Sequence, residues 1–149
     1  MIQLVDLTSE GLSFFSLFEK ITGIFPSDYV SSENGVVFLV EMKNLGKAIG
    51  RKGANINKLK SAFRKKVIII GDSEDPEMFA RNFFGNLNVL NVELRDAMGD
   101  KTVFVTIDEK DRGLAIGKGG ERIKAAKTLF KKKFNTSLQL RTKRVLDLS

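Results

Sequence analysis

Hydrophobic residues recur along this chain with two different spacings, one typical of helices and one typical of strands. Between Ser9 and Ile21, phenylalanines fall at helical intervals, which predicts an amphipathic helix. Runs rich in β-branched residues predict strands, and the Asn34-Gly35 pair between the first two runs is a strong hairpin signal. The elements predicted for the first half are a helix over 9–21, strands over 28–32 and 36–42, helices over 46–49 and 54–64, and a strand over 67–70.

The second half repeats this order of elements. Between the halves, the polar segment 71–76 contains both glycine and proline, and we expect it to be a linker. The pattern therefore predicts two domains, 1–72 and 73–149, with residues 141–149 as a short tail that leaves no room for another strand and helix. The elements predicted for the second half are helices over 76–84, 113–116 and 121–133, and strands over 89–94, 102–107 and 136–140.

A nine-residue motif occurs twice in the chain. Residues 48–56 read Ala-Ile-Gly-Arg-Lys-Gly-Ala-Asn-Ile, and residues 115–123, which lie 67 positions later, read Ala-Ile-Gly-Lys-Gly-Gly-Glu-Arg-Ile. The same shift aligns Phe63 with Phe130. Because the agreement extends beyond the motif, it indicates an internal repeat rather than a chance match.

Positive charge is concentrated beside the two motifs. Residues 46–66 contain eight basic and no acidic residues, a net charge of +8, and residues 112–133 contain eight basic residues and one acid, a net charge of +7. Since the whole chain carries +7, the remaining residues together carry −8. Focused positive potential next to a loop is typical of a surface that binds a polyanion.

The composition excludes several kinds of site. The chain has no cysteine and no histidine, which excludes disulfides, Cys/His metal sites, cysteine nucleophiles and histidine bases. The apolar runs, such as Val36–Val40, are strand-sized and too short to cross a membrane, and the N-terminus lacks the features of a signal peptide. We expect a cytoplasmic protein that uses no cofactor or metal, no small-molecule substrate and no membrane.

The Gly-x-x-Gly tetrapeptide inside each motif is suited to binding a nucleic-acid backbone. Its glycines remove the Cβ atoms that would hold a sugar-phosphate chain away, and the N-terminus of the following helix favours phosphate. The cations inside the tetrapeptides are predicted to meet phosphates, and the flanking isoleucines to pack beneath the loops or line a groove for bases. The predicted RNA-binding residues are Lys47, Ile49, Gly50, Arg51, Lys52, Gly53, Ile56, Lys58 and Lys60 in the first copy and Ile116, Gly117, Lys118, Gly119, Gly120, Arg122, Ile123 and Lys124 in the second.

The two loops differ at one position inside the tetrapeptide. The second loop has Gly119 where the first has Lys52, so it presents one positive side chain fewer. This difference predicts either weaker binding at the second loop or a closer approach of the ligand backbone to it.

The two motifs resemble the signature of KH domains, whose Gly-x-x-Gly loop clamps about four nucleotides of single-stranded RNA. In each half a helix and a strand precede the strand–helix–loop–helix–strand core, an order similar to the type II, or prokaryotic, form. That resemblance implies an α+β fold of two tandem type II KH domains, each with a three-stranded mixed sheet backed by three helices.

Two type II copies in tandem resemble the family of archaeal NusA proteins. The resemblance implies binding to nascent single-stranded RNA and a part in transcription termination, antitermination or elongation control. It also implies contact with RNA polymerase or other transcription machinery. We expect a monomer with no catalytic residues.

Other functions are compatible with the same residues. A KH-type factor in ribosome assembly or rRNA processing would also bind RNA, and a KH fold that serves protein interaction would not. An enzyme that uses the glycine-rich loops as phosphate cradles is a third alternative. The chain lacks the Gly-x-x-x-x-Gly-Lys-Ser/Thr pattern, and no carboxylate pair lies beside either loop in the sequence, so catalysis has few candidate residues.

Overall fold

The computed structural model describes residues 9–146, and the chain divides into two compact units, Met1–Asp72 and Ser73–Ser149. We refer to them as the first and the second unit. Across the described part of the chain, no helix combines the length and the apolar character needed to cross a bilayer.

Residues 9–72 of the first unit form three α-helices and three strands in the order that the hydrophobic pattern predicts. A one-turn 3-10 segment precedes α2, and another separates α2 from α3. The elements are α1 (Ser9–Thr22), β1 (Asp28–Ser31), β2 (Gly35–Glu41), α2 (Leu45–Ile49), α3 (Ala54–Phe63) and β3 (Lys66–Asp72).

The sheet of the first unit is mixed, with β2 in its centre. β1 pairs with β2 antiparallel through a tight turn that the Ser32 N–H closes by donating to the Gly35 carbonyl at 2.8 Å. β3 pairs with β2 in parallel, so the chain must cross back between them, and α2 and α3 form this crossover. The crossover is the segment that carries the first Gly-x-x-Gly loop.

Phe38, in the middle of β2, is the centre of the hydrophobic core of the first unit. Its ring is fully buried, and its centroid lies 4.4 Å from that of Phe18 in α1 and 5.6 Å from that of Phe63 in α3. Val36 and Val40 belong to the same buried cluster, because alternate residues of a strand share a face. One strand therefore holds both long helices of this unit against the sheet.

The second unit has the same order of elements and the same sheet topology. β5 is central, antiparallel to β4 and parallel to β6, so this sheet is also mixed and three-stranded. Phe79 of α4 and Phe130 of α6 are fully buried with ring centroids 5.3 Å apart. The elements are α4 (Pro76–Phe83), β4 (Val89–Ala97), β5 (Asp100–Asp108), α5 (Arg112–Ile116), α6 (Glu121–Phe134) and β6 (Ser137–Lys143).

The repeat is interrupted within the longest helix of the second unit. α6 has 14 residues and α3 has 10. Gly35 pairs with Lys66 in the first sheet and Thr102 pairs with Ser137 in the second, so the shift of 67 positions between the central strands becomes 71 between the last strands. The four additional residues of α6 correspond to about one helical turn.

The strand pairing corrects the predicted linker and the predicted tail. β3 continues to Asp72, which pairs with Glu41, so only Ser73–Asp75 separate β3 from α4, and the predicted linker 71–76 was too long. β6 continues to Lys143, so the first residues of the predicted tail belong to the sheet. In both cases polar residues extend a strand because the neighbouring central strand offers hydrogen-bond partners, which propensity alone does not show.

We expect Phe38→Ala to lower the free energy of unfolding by about 3–5 kcal/mol, because it removes a large buried side chain and leaves a cavity among other rings. Urea denaturation would measure the change. Leu12→Ala is the matched control: Leu12 is 52% exposed on α1, and we expect a change within about 0.5 kcal/mol. A loss below about 1 kcal/mol for Phe38→Ala would contradict the central position of this ring.

Candidate nucleic-acid interface

The two Gly-x-x-Gly loops have the same main-chain conformation. The first glycine of each has a positive φ and an extended ψ, at 82° and 165° for Gly50 and 78° and 169° for Gly117. The third and fourth positions of both loops are in the left-handed region, with φ between 54° and 77°. The internal repeat therefore extends to the dihedral angles of the loop.

The first glycine of each loop is required by close contacts. A Cβ on Gly50 would lie 2.8 Å from the main-chain nitrogen of Asn55, and a Cβ on Gly117 would lie 2.8 Å from Cβ of Arg122. The last glycine closes the turn, because the Gly53 N–H donates to the Gly50 carbonyl at 3.0 Å and the second loop repeats this bond. Larger residues at the first position would open the angle between the two helices.

A side chain from the second helix braces each loop. The Asn55 amide donates to the Lys47 carbonyl at 3.0 Å, and an Arg122 guanidinium N–H donates to the Leu114 carbonyl at 3.2 Å. Asn55 and Arg122 occupy the same position of the repeat. Each bond joins the helix after the loop to a carbonyl near the C-terminal end of the helix before it, where such carbonyls lack helical partners.

Arg122 makes further contacts that Asn55 does not. Its second terminal nitrogen donates to the Phe83 carbonyl at the end of α4 and to the side-chain oxygen of Asn86, and its guanidinium lies 5.7 Å from the centroid of Phe84. Burial of this group lowers its pKa below the usual value of an arginine. Arg122, predicted from the sequence to bind RNA, is thus oriented toward the protein and serves as a brace.

The remaining predicted cations lie on the surface. Arg51 and Lys52 are exposed at the tip of the first loop, and Lys118 is exposed at the tip of the second. The cations predicted outside the tetrapeptides are also exposed, namely Lys47, Lys58, Lys60 and Lys124. The structure therefore leaves all of them except Arg122 accessible to a ligand.

The isoleucines that flank the loops are partly buried in both units. Ile49 and Ile56 are partly buried and pack against the core of the first unit beneath the loop. Ile116 and Ile123 lie in a surface groove of the second unit, between the two helices and β6. The groove is also lined by Arg112, Lys127, Leu138, Gln139, Leu140 and Thr142.

Most residues of the groove wall are absent from the predicted RNA-binding set. The residues from β6 are ordinary strand residues, and nothing in their spacing marks them. What identifies them is the position of β6, an edge strand that follows the helix after the loop. Arg112 and Lys127 could have been found, because both belong to the basic segment 112–133.

Lys52 occupies a backbone conformation that costs free energy. It has φ 54° and ψ 30°, a left-handed conformation that is unfavourable by about 1–2 kcal/mol for a residue with a Cβ atom. The equivalent residue Gly119 has φ 63° and ψ 15° without that cost, and a Cβ there would contact nothing within 4 Å. Compared with the first loop, the second loop therefore has one positive charge fewer and lacks this main-chain strain.

Known proteins resemble this chain in sequence and in fold. The KH domain family profile matches residues 74–147. The protein named probable transcription termination protein NusA from Methanococcus vannielii is 33% identical over 82% of this chain and 70% of its own length, and its namesake from Methanocaldococcus jannaschii is 32% identical over 86% and 70%. The solved structure of APE1850 is 32% identical, with a TM-score of 0.74, over 92% of this chain and all of that one.

We expect Lys52→Gly to raise the free energy of unfolding by about 0.5–1 kcal/mol, because glycine adopts the left-handed conformation without strain and this gain exceeds its entropic cost in the unfolded chain. The reciprocal change Gly119→Lys should lower it by about 1 kcal/mol. Thermal or urea unfolding would measure both.

Lys58→Gly is the control for the glycine effect alone. Lys58 lies inside α3 on the surface, so glycine there should lower stability by about 1 kcal/mol. If Lys52→Gly destabilised the protein as much as Lys58→Gly does, the strain assigned to Lys52 would be absent.

Proposed function

The chain belongs to the family of NusA-like KH-domain proteins, and from this membership we propose that it binds single-stranded RNA through its two Gly-x-x-Gly loops and takes part in transcription termination or antitermination. The observation that carries the proposal is the shared loop conformation, with exposed cations at the tip of each loop. The KH domain match and the names of the relatives support it.

We further propose that the two units are tandem type II KH domains. In each unit a helix and a strand precede the central strand, and the loop-bearing helices lead to the parallel edge strand. Both sheets have the same order and the same pairing directions. Two equivalent binding loops follow from this assignment.

The proposed binding mode divides the RNA between a loop and a groove. Phosphates lie against the glycines of the loop, where the N-terminus of the following helix contributes unpaired N–H groups and positive potential. In the second unit, bases enter the groove between Ile116, Ile123 and β6. Because β6 is an edge strand, its outer main-chain groups are available to hydrogen-bond with base edges.

The two loops are expected to contribute to RNA affinity in different ways. Arg51 and Lys52 give the first loop two cations for phosphates, so its contribution depends strongly on salt. The second loop has Lys118 alone at its tip, but Arg112 and Lys127 add charge along its groove. We expect the first loop to contribute more electrostatic affinity and the second to contribute more contact with bases.

The proposed partners are single-stranded nascent RNA and the transcription machinery, including RNA polymerase, with the protein acting as a monomer. The chain acts by binding and has no catalytic role in this scheme. A function in ribosome assembly would use the same RNA-binding surface. Crosslinking in cells with sequencing of the bound RNA would distinguish the two, because transcription control predicts enrichment of nascent transcripts and ribosome assembly predicts enrichment of ribosomal RNA.

We expect the double variant Arg51→Asp/Lys52→Asp to bind single-stranded RNA at least about tenfold more weakly than the unaltered protein, because two cations at the phosphate track become anions. Fluorescence anisotropy with a labelled single-stranded RNA at moderate salt would measure it. Circular dichroism should show an unchanged fold, since both side chains are exposed.

The control variant is Lys20→Asp/Lys101→Asp. It makes the same change in net charge at two exposed lysines outside both loops, on α1 and β5. We expect a loss of no more than about twofold. Equal losses for the two double variants would show that affinity follows net charge alone and would rule out the first loop as the binding site.

A further inference from the structure

The outer face of the second sheet carries an ordered pair of arginines. Alternate residues of a strand point to opposite faces, so Phe104 lies on the face opposite the buried Val103 and Val105. The guanidinium carbon of Arg95 lies 4.5 Å from the Phe104 ring centroid and that of Arg141 lies 4.0 Å from it. Phe104 is only 8% exposed because the two arginines cover it.

The two arginines differ in how their charge is compensated. Arg95 donates to both carboxylate oxygens of Glu93 at 3.2 Å, so its charge is paired. Arg141 is exposed and, among residues 9–146, forms no ion pair; its contact there is the ring of Phe104. Phe104 therefore holds one face of the Arg141 guanidinium and leaves the other face open to solvent.

Arg141 lies on the same strand as the groove wall. Leu138, Leu140 and Thr142 of β6 line the groove, whereas Arg141 belongs to the alternate set of residues on the other face. β6 is the edge of the sheet, so among residues 73–146 no further strand separates its two sides. An RNA chain that leaves the groove across this edge would meet Arg141 next.

We propose that Arg141, held by Phe104, forms an additional nucleotide site for the RNA that the second groove binds. A base adjacent to the groove-bound nucleotides stacks on the open face of the guanidinium, and the outward N–H groups remain available to a phosphate. Planar guanidinium groups are good stacking partners for unpaired bases. This inference rests on the proposed RNA-binding function.

Residues 9–72 of the first unit offer no equivalent site. The strand register places Ile70 where the second unit has Arg141, and Val37 where it has Phe104. Both residues are buried in the first unit. The additional site is thus specific to the second unit, where the loop has fewer cations, and it lengthens the RNA that this unit holds.

The test compares two RNA lengths with the full chain carrying Arg51→Asp/Lys52→Asp, so that the loop of the second unit is the main binding site. A labelled tetranucleotide fills one groove, and a hexanucleotide of the same base extends beyond it. We expect Arg141→Ala to weaken hexanucleotide binding by about five- to tenfold, the loss typical of one stacked base, and to leave tetranucleotide binding within about twofold. Arg141→Lys keeps the positive charge but lacks the planar guanidinium. We expect it to bind the hexanucleotide at least about threefold more weakly than the protein with Arg141 does.

Arg95→Ala is the matched control, because Arg95 contacts the same ring but is paired with Glu93; we expect a change within about twofold for both RNAs. An unchanged hexanucleotide affinity for Arg141→Ala, or equal losses on both RNAs, would overturn the additional site. If Arg141→Lys bound the hexanucleotide as tightly as the protein with Arg141, the proposed stacking of a base on the guanidinium would be overturned. If the unaltered protein bound neither RNA, the proposed RNA-binding function itself would fail.

Discussion

The interface depends on the main-chain turn between two helices, at which three residues of each loop have positive φ. The turn brings the end of one helix to the start of the next, and it is held by a glycine–glycine hydrogen bond and by one side chain that reaches back to the first helix. In each unit, the buried core keeps the two helices of the turn in place. Because the loop supplies little apolar contact of its own, its shape is maintained by these hydrogen bonds and by the packing of the helices on the sheet.

Much of this arrangement was predictable, because it depends on local signals. The hydrophobic spacing, the Asn34-Gly35 turn and the paired glycines predict the order of elements, and the KH resemblance is confirmed by the family match and by the relatives. Boundaries were less predictable. β3 and β6 extend beyond their apolar residues because each pairs along its length with a central strand, and a pairing partner is a tertiary property.

The direction in which a side chain points was the least predictable feature of the site. Arg122 lies in a basic segment beside the loop, where a phosphate contact is expected, yet it donates hydrogen bonds to Leu114 in α5, to Phe83 at the end of α4 and to Asn86 beyond it. The sequence presents Gly119 as the loss of a positive charge or as room for a closer approach of the ligand, and only the dihedral angles show that its position favours glycine. The sequence pattern places Arg141 in a tail, whereas strand pairing places it in β6. Each of these features follows from contacts between segments that are distant in sequence.

The two copies of the nonapeptide are not interchangeable parts, and the reason is the brace. Asn55 reaches the carbonyl of Lys47, the residue immediately before the motif, so this brace lies within the two helices that flank the first loop. Arg122 also depends on the Phe83 carbonyl and on Asn86, which lie outside the motif at the end of α4. The conformation of the second loop is therefore linked to the C-terminal end of α4, which holds the same arginine.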